Sequence, residues 1–337
     1  MAVKITDIAR EAGVSISTVS RVMNGTKAVS PELRSRVYKV IDEHHYSPNV
    51  LAQSLITKRT NIVGVIVPDI SNAVFGALTK GINHLCSKKG YTIMMCESGG
   101  KLEIELKLLD ILEDRHIDGV LFCGVDVNRR LVDAMQQKEY PVVLMTQEAS
   151  IEEISIDTVV HDNVRLMYDS IMFLHANGHK RIAYLGGPAY DISNGKKRLK
   201  GYKKAMEELG LKISDSYIQE VDFSFNGGYE GAKIIYEESS LLPTAIAAGS
   251  DQIALGCAHF LNSHGIRVPE DMSVIGIDDL EYATYFQPAL TTVRIPYFEE
   301  GVMAAERLMD CLEGSKSGPN IQYVKHKIIR RGTVKAI

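Results

Sequence analysis

The chain has 337 residues, 45% hydrophobic and 24% charged, which suits a soluble globular protein of about two domains at roughly 150 residues each. Its apolar runs fall short of the roughly 20 residues a membrane helix needs, and MAVKITDIAREAGVS at the N-terminus has no apolar leader segment, so a cytoplasmic protein is expected. Net charge is −4 but uneven: residues 1–60 hold nine Lys/Arg against five Asp/Glu, the rest 29 against 37, so only the head is expected to meet a polyanion.

The first sixty residues read as helices. Thr6 is placed to cap a helix over 7–12, and Gly13 supplies the turn that ends it. Ser15 or Ser17 caps a second helix over 18–23, which stops at Asn24-Gly25. Ser30-Pro31 starts a third, with Leu33, Val37, Val40 and Ile41 on one apolar face. After the break at Tyr46-Ser47-Pro48-Asn49 comes a six-residue segment, 50–55, too short to hold a helix alone.

From residue 61 the pattern changes. Apolar runs of strand length at 62–67, 91–96, 119–123 and 141–145 alternate with helical stretches, and a second set follows at 181–186, 245–248 and 273–277. Near-continuous apolar strands between amphipathic helices predict parallel sheets covered on both faces, and the length predicts two such lobes. The five cysteines (Cys86, Cys96, Cys123, Cys257, Cys311) are odd in number and widely spaced, which predicts core residues and neither a disulfide framework nor a zinc site.

Helix, glycine turn and second helix within about 20 residues form the helix-turn-helix pattern. The wording ITDIAREAGVSISTVSRVMNG, followed by SPELRSRVYKVIDEHHYSPNVLAQSL, resembles the LacI/GalR family of transcription regulators, and the resemblance extends over essentially the whole chain. It implies an α/β protein: a small all-α helix-turn-helix head at 1–46, a hinge helix and linker at 47–60, and a two-lobed body like a periplasmic binding protein at 61–337. The lobes are expected at about 61–160 with 291–322, and at about 161–290 with 323–337. The implied function is that of a DNA-binding regulator, a repressor that binds a palindromic operator as a homodimer under control of a small effector, most simply a sugar or sugar derivative.

The head's residues suit that role. Ser15, Ile16, Ser17 and Thr18 would open the recognition helix. Ile16 offers apolar contact to a thymine methyl, Ser17 a small hydroxyl, and Arg21 a fork for guanine O6 and N7. Thr6, Thr18, Ser20 and Asn24 are phosphate-contact candidates, while Ala9, Val19 and Val22 look like packing residues. The resemblance makes Leu55 the residue that wedges into the central base step, with Ala52 one turn before it on the same face.

In the body, ligands of such folds sit at the carboxyl ends of the strands, between the lobes. The resemblance places Asn72, Phe75, Asn194, Arg198, Phe223, Ser250 and Asp278 there, with Thr146 and Tyr297 as further candidates. Ser250 stands where the family usually has asparagine. A guanidinium that donates and a carboxylate that accepts suit a polyol. Two other branches of the family answer to a serine-phosphorylated phosphocarrier protein or to purines. The first places an arginine where this chain has Gln287. The family's tetramers carry a leucine heptad tail, and the chain ends at Ile337 without one, so a dimer is expected.

No enzyme motif is found. Gly195-Lys196 lacks the earlier glycine and the hydroxyl residue of a phosphate loop, and Gly186-Gly187-Pro188 is no dinucleotide fingerprint. His175 and His179 are four apart but lack a partner glutamate, and His44-His45 suit a helix C-terminus. Neither a metal, a cofactor nor a membrane is expected.

Overall fold

The computed structural model describes residues 3–24, 29–44, 59–149, 156–314, 318 and 320–337. The chain divides into two compact units, Met1–Thr60 and Asn61–Ile337.

The first unit contains α1 (Ile5–Glu11), α2 (Ile16–Asn24) and α3 (Pro31–Glu43). Their shared core is Ile8, Ala9, Ala12, Val19, Val22, Val37 and Val40. Ser30 caps α3 by accepting from the Leu33 N–H at 3.3 Å, with Pro31 at the first helical position. Ser15 caps α2, accepting from the Thr18 N–H at 3.2 Å. The expected cap of α1 is corrected: Thr6 lies inside the helix, whose N-cap is Lys4, because the Asp7 carboxylate reaches back to accept from the Lys4 N–H at 3.1 Å. At the other end of the bundle His44 pairs with Glu11 at 2.7 Å. His45, Ala52 and Leu55 lie outside the described residues.

The second unit holds two six-stranded sheets. Sheet one has the order β2-β1-β3-β4-β5-β11 and is parallel throughout, from β1 (Ile62–Val67), β2 (Thr92–Glu97), β3 (Gly119–Phe122), β4 (Val142–Met145), β5 (Thr158–His161) and β11 (Ile321–Val324). Sheet two has the order β7-β6-β8-β9-β10-β12, from β6 (Ile182–Gly186), β7 (Ile218–Glu220), β8 (Ala245–Ala248), β9 (Ser273–Asp278), β10 (Thr291–Arg294) and β12 (Lys327–Ile329). Only β12 runs antiparallel there, against β10. The central strands are buried on both faces, hence their continuous apolar runs.

Helices cover both sheets: α4 (Ala73–Lys88), α5 (Leu102–Asp114), α6 (Arg129–Gln136) and α12 (Tyr297–Leu312) on the first lobe, α7 (Asn163–Ala176), α8 (Lys197–Glu208), α9 (Phe225–Glu238), α10 (Asp251–Ser263) and the short α11 (Glu281–Tyr285) on the second. α4 and α12 cross in backbone contact through paired glycines. A Cβ on Gly81 would stand 2.0 Å from the Phe298 carbonyl oxygen, and one on Gly301 would stand 2.2 Å from that of Leu78.

The expected lobe boundaries shift by a few residues. β10 was assigned to the first lobe but pairs with β9 in sheet two, with Thr291 and Thr292 fully buried. Tyr323 and Val324 were assigned to the second lobe but pair with Val160 and His161 in sheet one. The chain therefore crosses between lobes near 162, after 294 and after 324. Cys86, Cys123 and Cys257 are buried, and Cys96 and Cys311 half-buried. His175 and His179 end α7 structurally: His179 meets the Thr244 hydroxyl at 3.0 Å and the Lys335 carbonyl at 3.1 Å.

Candidate DNA interface and effector cleft

In the head, the packing residues and the candidate readers separate cleanly. Ala9, Val19 and Val22 are buried, while Thr6, Ser15, Ile16, Ser17 and Arg21 are exposed. Ile16 is an apolar side chain left 48% exposed at the start of α2. The Ser15 hydroxyl lies 2.8 Å from that of Ser17 and 2.9 Å from that of Thr18, so the helix start presents a linked set of hydroxyls. Thr18 and Ser20 are half-buried, and Asn24 is the last residue of α2. A helix N-terminus with small donors and an exposed arginine one turn on is chemically equipped for phosphates and base edges.

In the body, all nine candidate effector residues line one cavity of about 240 Å³ between the lobes. Its walls are the carboxyl ends of the strands: Pro68 follows β1, Cys123 follows β3, Thr146 follows β4, His161 ends β5, Ser250 stands two residues after β8, and Asp278 ends β9. This is where open parallel sheets bind ligands.

Each side chain is placed by local structure. Asn72 and Ser250 cap α4 and α10, accepting from the Val74 and Ile253 N–H groups at 3.0 and 3.2 Å. Phe75 stands on the first turns of α4. The Phe223 ring lies so close to Gly187 that a Cβ there would come within 2.1 Å of it. Thr146 sits in the left-handed region (φ +61°), its hydroxyl 2.7 Å from the Cys123 sulfur.

Arg198, on the first turn of α8, is 2% exposed. Its Nε donates to Asn163 Oδ1 at 2.8 Å, its Nη1 to the Gly249 carbonyl, and its Nη2 to Asn194 Oδ1 at 3.0 Å. The fork that sequence reasoning assigned to the ligand is thus largely engaged with protein. The Tyr297 hydroxyl donates to Asp278 Oδ1 at 2.7 Å. Burial pushes the Asp278 carboxyl up, against the lowering pull of the Arg198 charge. Burial likewise raises Asp191, which caps the π-turn Ile192–Lys196 and holds Asn194.

Sequence reasoning missed His161, Gln147, Asp191 and Tyr282 in the lining of the cavity, and Glu300 behind it. His161 Nδ1 lies 3.3 Å from Glu300 Oε2, and its Nε2 lies 3.4 Å from Arg198 Nη2. Glu300 also accepts from the Thr146 N–H at 3.1 Å. A chain of contacts thus runs from the first lobe (Thr146, Glu300, His161) to Arg198 in the second. Gln147 donates to Asp191 at 3.4 Å, and Lys197 pairs with Glu148 at the same seam. A signal for Glu300 was present: it falls on the apolar stripe of its helix with Tyr297, Gly301, Ala304 and Leu308.

Comparison with known proteins fits this geometry. Residues 4–49 match the model for bacterial regulatory proteins of the lacI family, and 171–334 that for the periplasmic binding protein-like domain. Catabolite control protein A of Priestia megaterium is 37% identical, over 99% of this chain and 100% of that one. The HTH-type transcriptional repressor PurR of Vibrio cholerae is 33% identical, over 98% of each. The lac repressor dimer bound to operator and the anti-inducer ONPF superposes with a TM-score of 0.91 at 24% identity, covering 100% of both chains. With a three-helix head, a cleft between two lobes and full-length likeness to regulators, the chain belongs to the lacI family of bacterial transcription regulators, which are not enzymes.

Proposed function

We propose that the protein represses transcription as a homodimer on a palindromic operator and responds to a sugar or sugar derivative held between its lobes. Ile16, Ser17 and Arg21 read base edges. Thr6, Ser15, Thr18, Ser20 and Asn24 hold phosphates. Ala52 and Leu55 enter the minor groove. The observation that carries the DNA reading is the split on α2, with a buried Val19/Val22 face and an exposed Ile16/Ser17/Arg21 face. The exposed edge strand β2, with Met94 and Met95 open to solvent at 36% and 37%, supports the dimer.

The effector acts by differential affinity. A ligand in the cleft contacts both lobes and favours one angle between them, and the hinge segments of the two protomers follow that angle. Asp278, Tyr297 and Asn194 supply the polar contacts a polyol needs, and Phe75 and Phe223 the apolar ones.

A catabolite-control-type regulator that answers to a phosphorylated carrier protein is the second reading. The 37% likeness to catabolite control protein A favours it, and Gln287, in the place of that branch's arginine, speaks against it. The test is selection of bound DNA from a random duplex library at moderate salt. A recovered palindrome with a central pyrimidine–purine step supports the dimeric reader and the wedge. If enrichment appears only after purified phosphocarrier protein is added, the second reading replaces the sugar-controlled one.

A further inference from the structure

Tyr282 stands on α11, directly after the end of β9. Its ring lines the cleft and lies against Phe225 at 5.7 Å between centroids. Its hydroxyl is shut from solvent and, among the described residues, is the buried side-chain polar atom that has no hydrogen-bond partner. A buried hydroxyl in that condition is costly unless something meets it.

The backbone that holds Tyr282 there is strained and firmly pinned. Asp278 and Asp279 both have positive φ, +122° and +59°. The Asp279 carboxylate is clamped by Arg294 and Arg331, each at 2.5 Å, and Asp251 accepts from the Leu280 N–H at 2.9 Å. Strain of this kind persists where surrounding structure over-determines it. The turn brings the Asp278 carboxylate and the Tyr282 ring to one cavity.

The cavity also has a charge preference. Asp69, Asp191 and Asp278 line it, against Arg198, whose Nε, Nη1 and Nη2 each already meet a protein acceptor. The other basic group of the described lining, His161, lies between Glu300 and Arg198, so an anionic ligand would lie among carboxylates with both basic groups already engaged by protein. At about 240 Å³ the space is below the roughly 300–1,000 Å³ of sites for drug-sized ligands, which favours a single ring.

Building on the sugar reading above, we infer that the effector is an uncharged monosaccharide and that the Tyr282 hydroxyl bonds to one of its hydroxyls, making Tyr282 a specificity residue of the cleft. The bond is made only when ligand is present, so it adds to the differential affinity that shifts the lobes.

The test is calorimetric titration of the full chain with glucose, galactose, mannose, fructose, ribose, xylose and arabinose, with their phosphate esters, and with hypoxanthine. One free sugar should bind, and its phosphate ester at least about tenfold more weakly. Tyr282→Phe should weaken that sugar about tenfold without lowering the ligand-free melting temperature, since it removes an unpartnered hydroxyl. Tighter binding of the ester overturns the charge argument. Wild-type affinity in Tyr282→Phe overturns the role of the hydroxyl, and in both cases the sugar reading survives. Binding of hypoxanthine alone, or of no sugar, overturns the sugar reading itself.

Discussion

Glu105 shows how one buried group sets a pH response. It lies on α5, 2% exposed, with the Ser98 hydroxyl donating to it at 3.4 Å. Burial dominates over that bond and pushes its carboxyl up to about 7 from 4.5. The folded state then holds a proton that the unfolded chain has released, so Glu105 lowers stability as pH rises from about 4.5 to 7 and by a constant amount above that. Glu105→Gln keeps the neutral form. It should raise stability by about 3 kcal/mol at pH 8 and leave it nearly unchanged at pH 4.5, as measured by denaturant unfolding. Arg21→Ala belongs to the same scale: it should cost ~1–3 kcal/mol on operator DNA and relax selection at one base position in a binding-site library. Sequence reasoning read exposed and buried positions of α2 well, because a short helix packed on one side leaves its pattern in the residues. It misplaced the cap of α1, where the Asp7 carboxylate bonds back to the N–H of Lys4, three residues before it, and leaves Thr6 inside the helix. It passed over His161 and Glu300 because their buried contact joins two residues 139 positions apart; the place of Glu300 on an apolar stripe hinted at its burial but not at its partner.

At the scale of elements, the crossing of α4 and α12 is a joint made backbone to backbone. Gly81 and Gly301 let the backbones touch, so the helices cannot separate by a methyl group without moving the strands beneath. Gly81→Ala should destabilise the body by more than ~1–3 kcal/mol, the usual cost of overpacking, because the clash is with backbone and not with a flexible side-chain end; thermal melting checks this. Leu55→Ala should weaken operator binding strongly and non-specific DNA binding little, and an equal loss on both in gel-shift titrations would remove the wedge. Seven strands were legible as apolar runs. β5, β7, β11 and β12 were not: unlike the equally short but wholly apolar β3, β4 and β8 they carry polar residues, and β7, β11 and β12 are edge strands. At an edge, pairing with a neighbour makes the strand, and a stretch such as Ile218–Glu220 has too few residues to show a period. The resemblance put β10 in the first lobe, whereas it pairs with β9 in sheet two, and the Thr292 hydroxyl donates to Asp251 Oδ1 at 2.5 Å.

For the whole molecule, the cleft is a seam as well as a site. Thr146, Glu300, His161 and Arg198 link the lobes through buried polar contacts. Removing Arg198 leaves Asn163, Asn194 and the Gly249 carbonyl without their donor. Arg198→Met should therefore lower the melting temperature and abolish the effect of ligand on operator affinity, both measurable on one preparation. A variant that still responds at wild-type ligand concentration would place the effector elsewhere. The two-lobed architecture was legible from the repeated alternation of strand and helix. The return points near 294 and 324 were not, because they depend on which sheet a short strand joins.

Those return points bear on how the chain is made. The first lobe lacks α12 and β11 until residue 324 has been synthesised, although its other strands are finished by 161. The second lobe has all but one of its strands by residue 294. Once residue 294 has emerged from the ribosome, the later lobe is nearly whole. The earlier lobe, which follows the head in the sequence, still shows water the Leu121, Val143 and Met145 cluster that Ala304 and Leu308 will cover. The lobe that is translated first is closed last, so assembly of the body is governed by the end of its message.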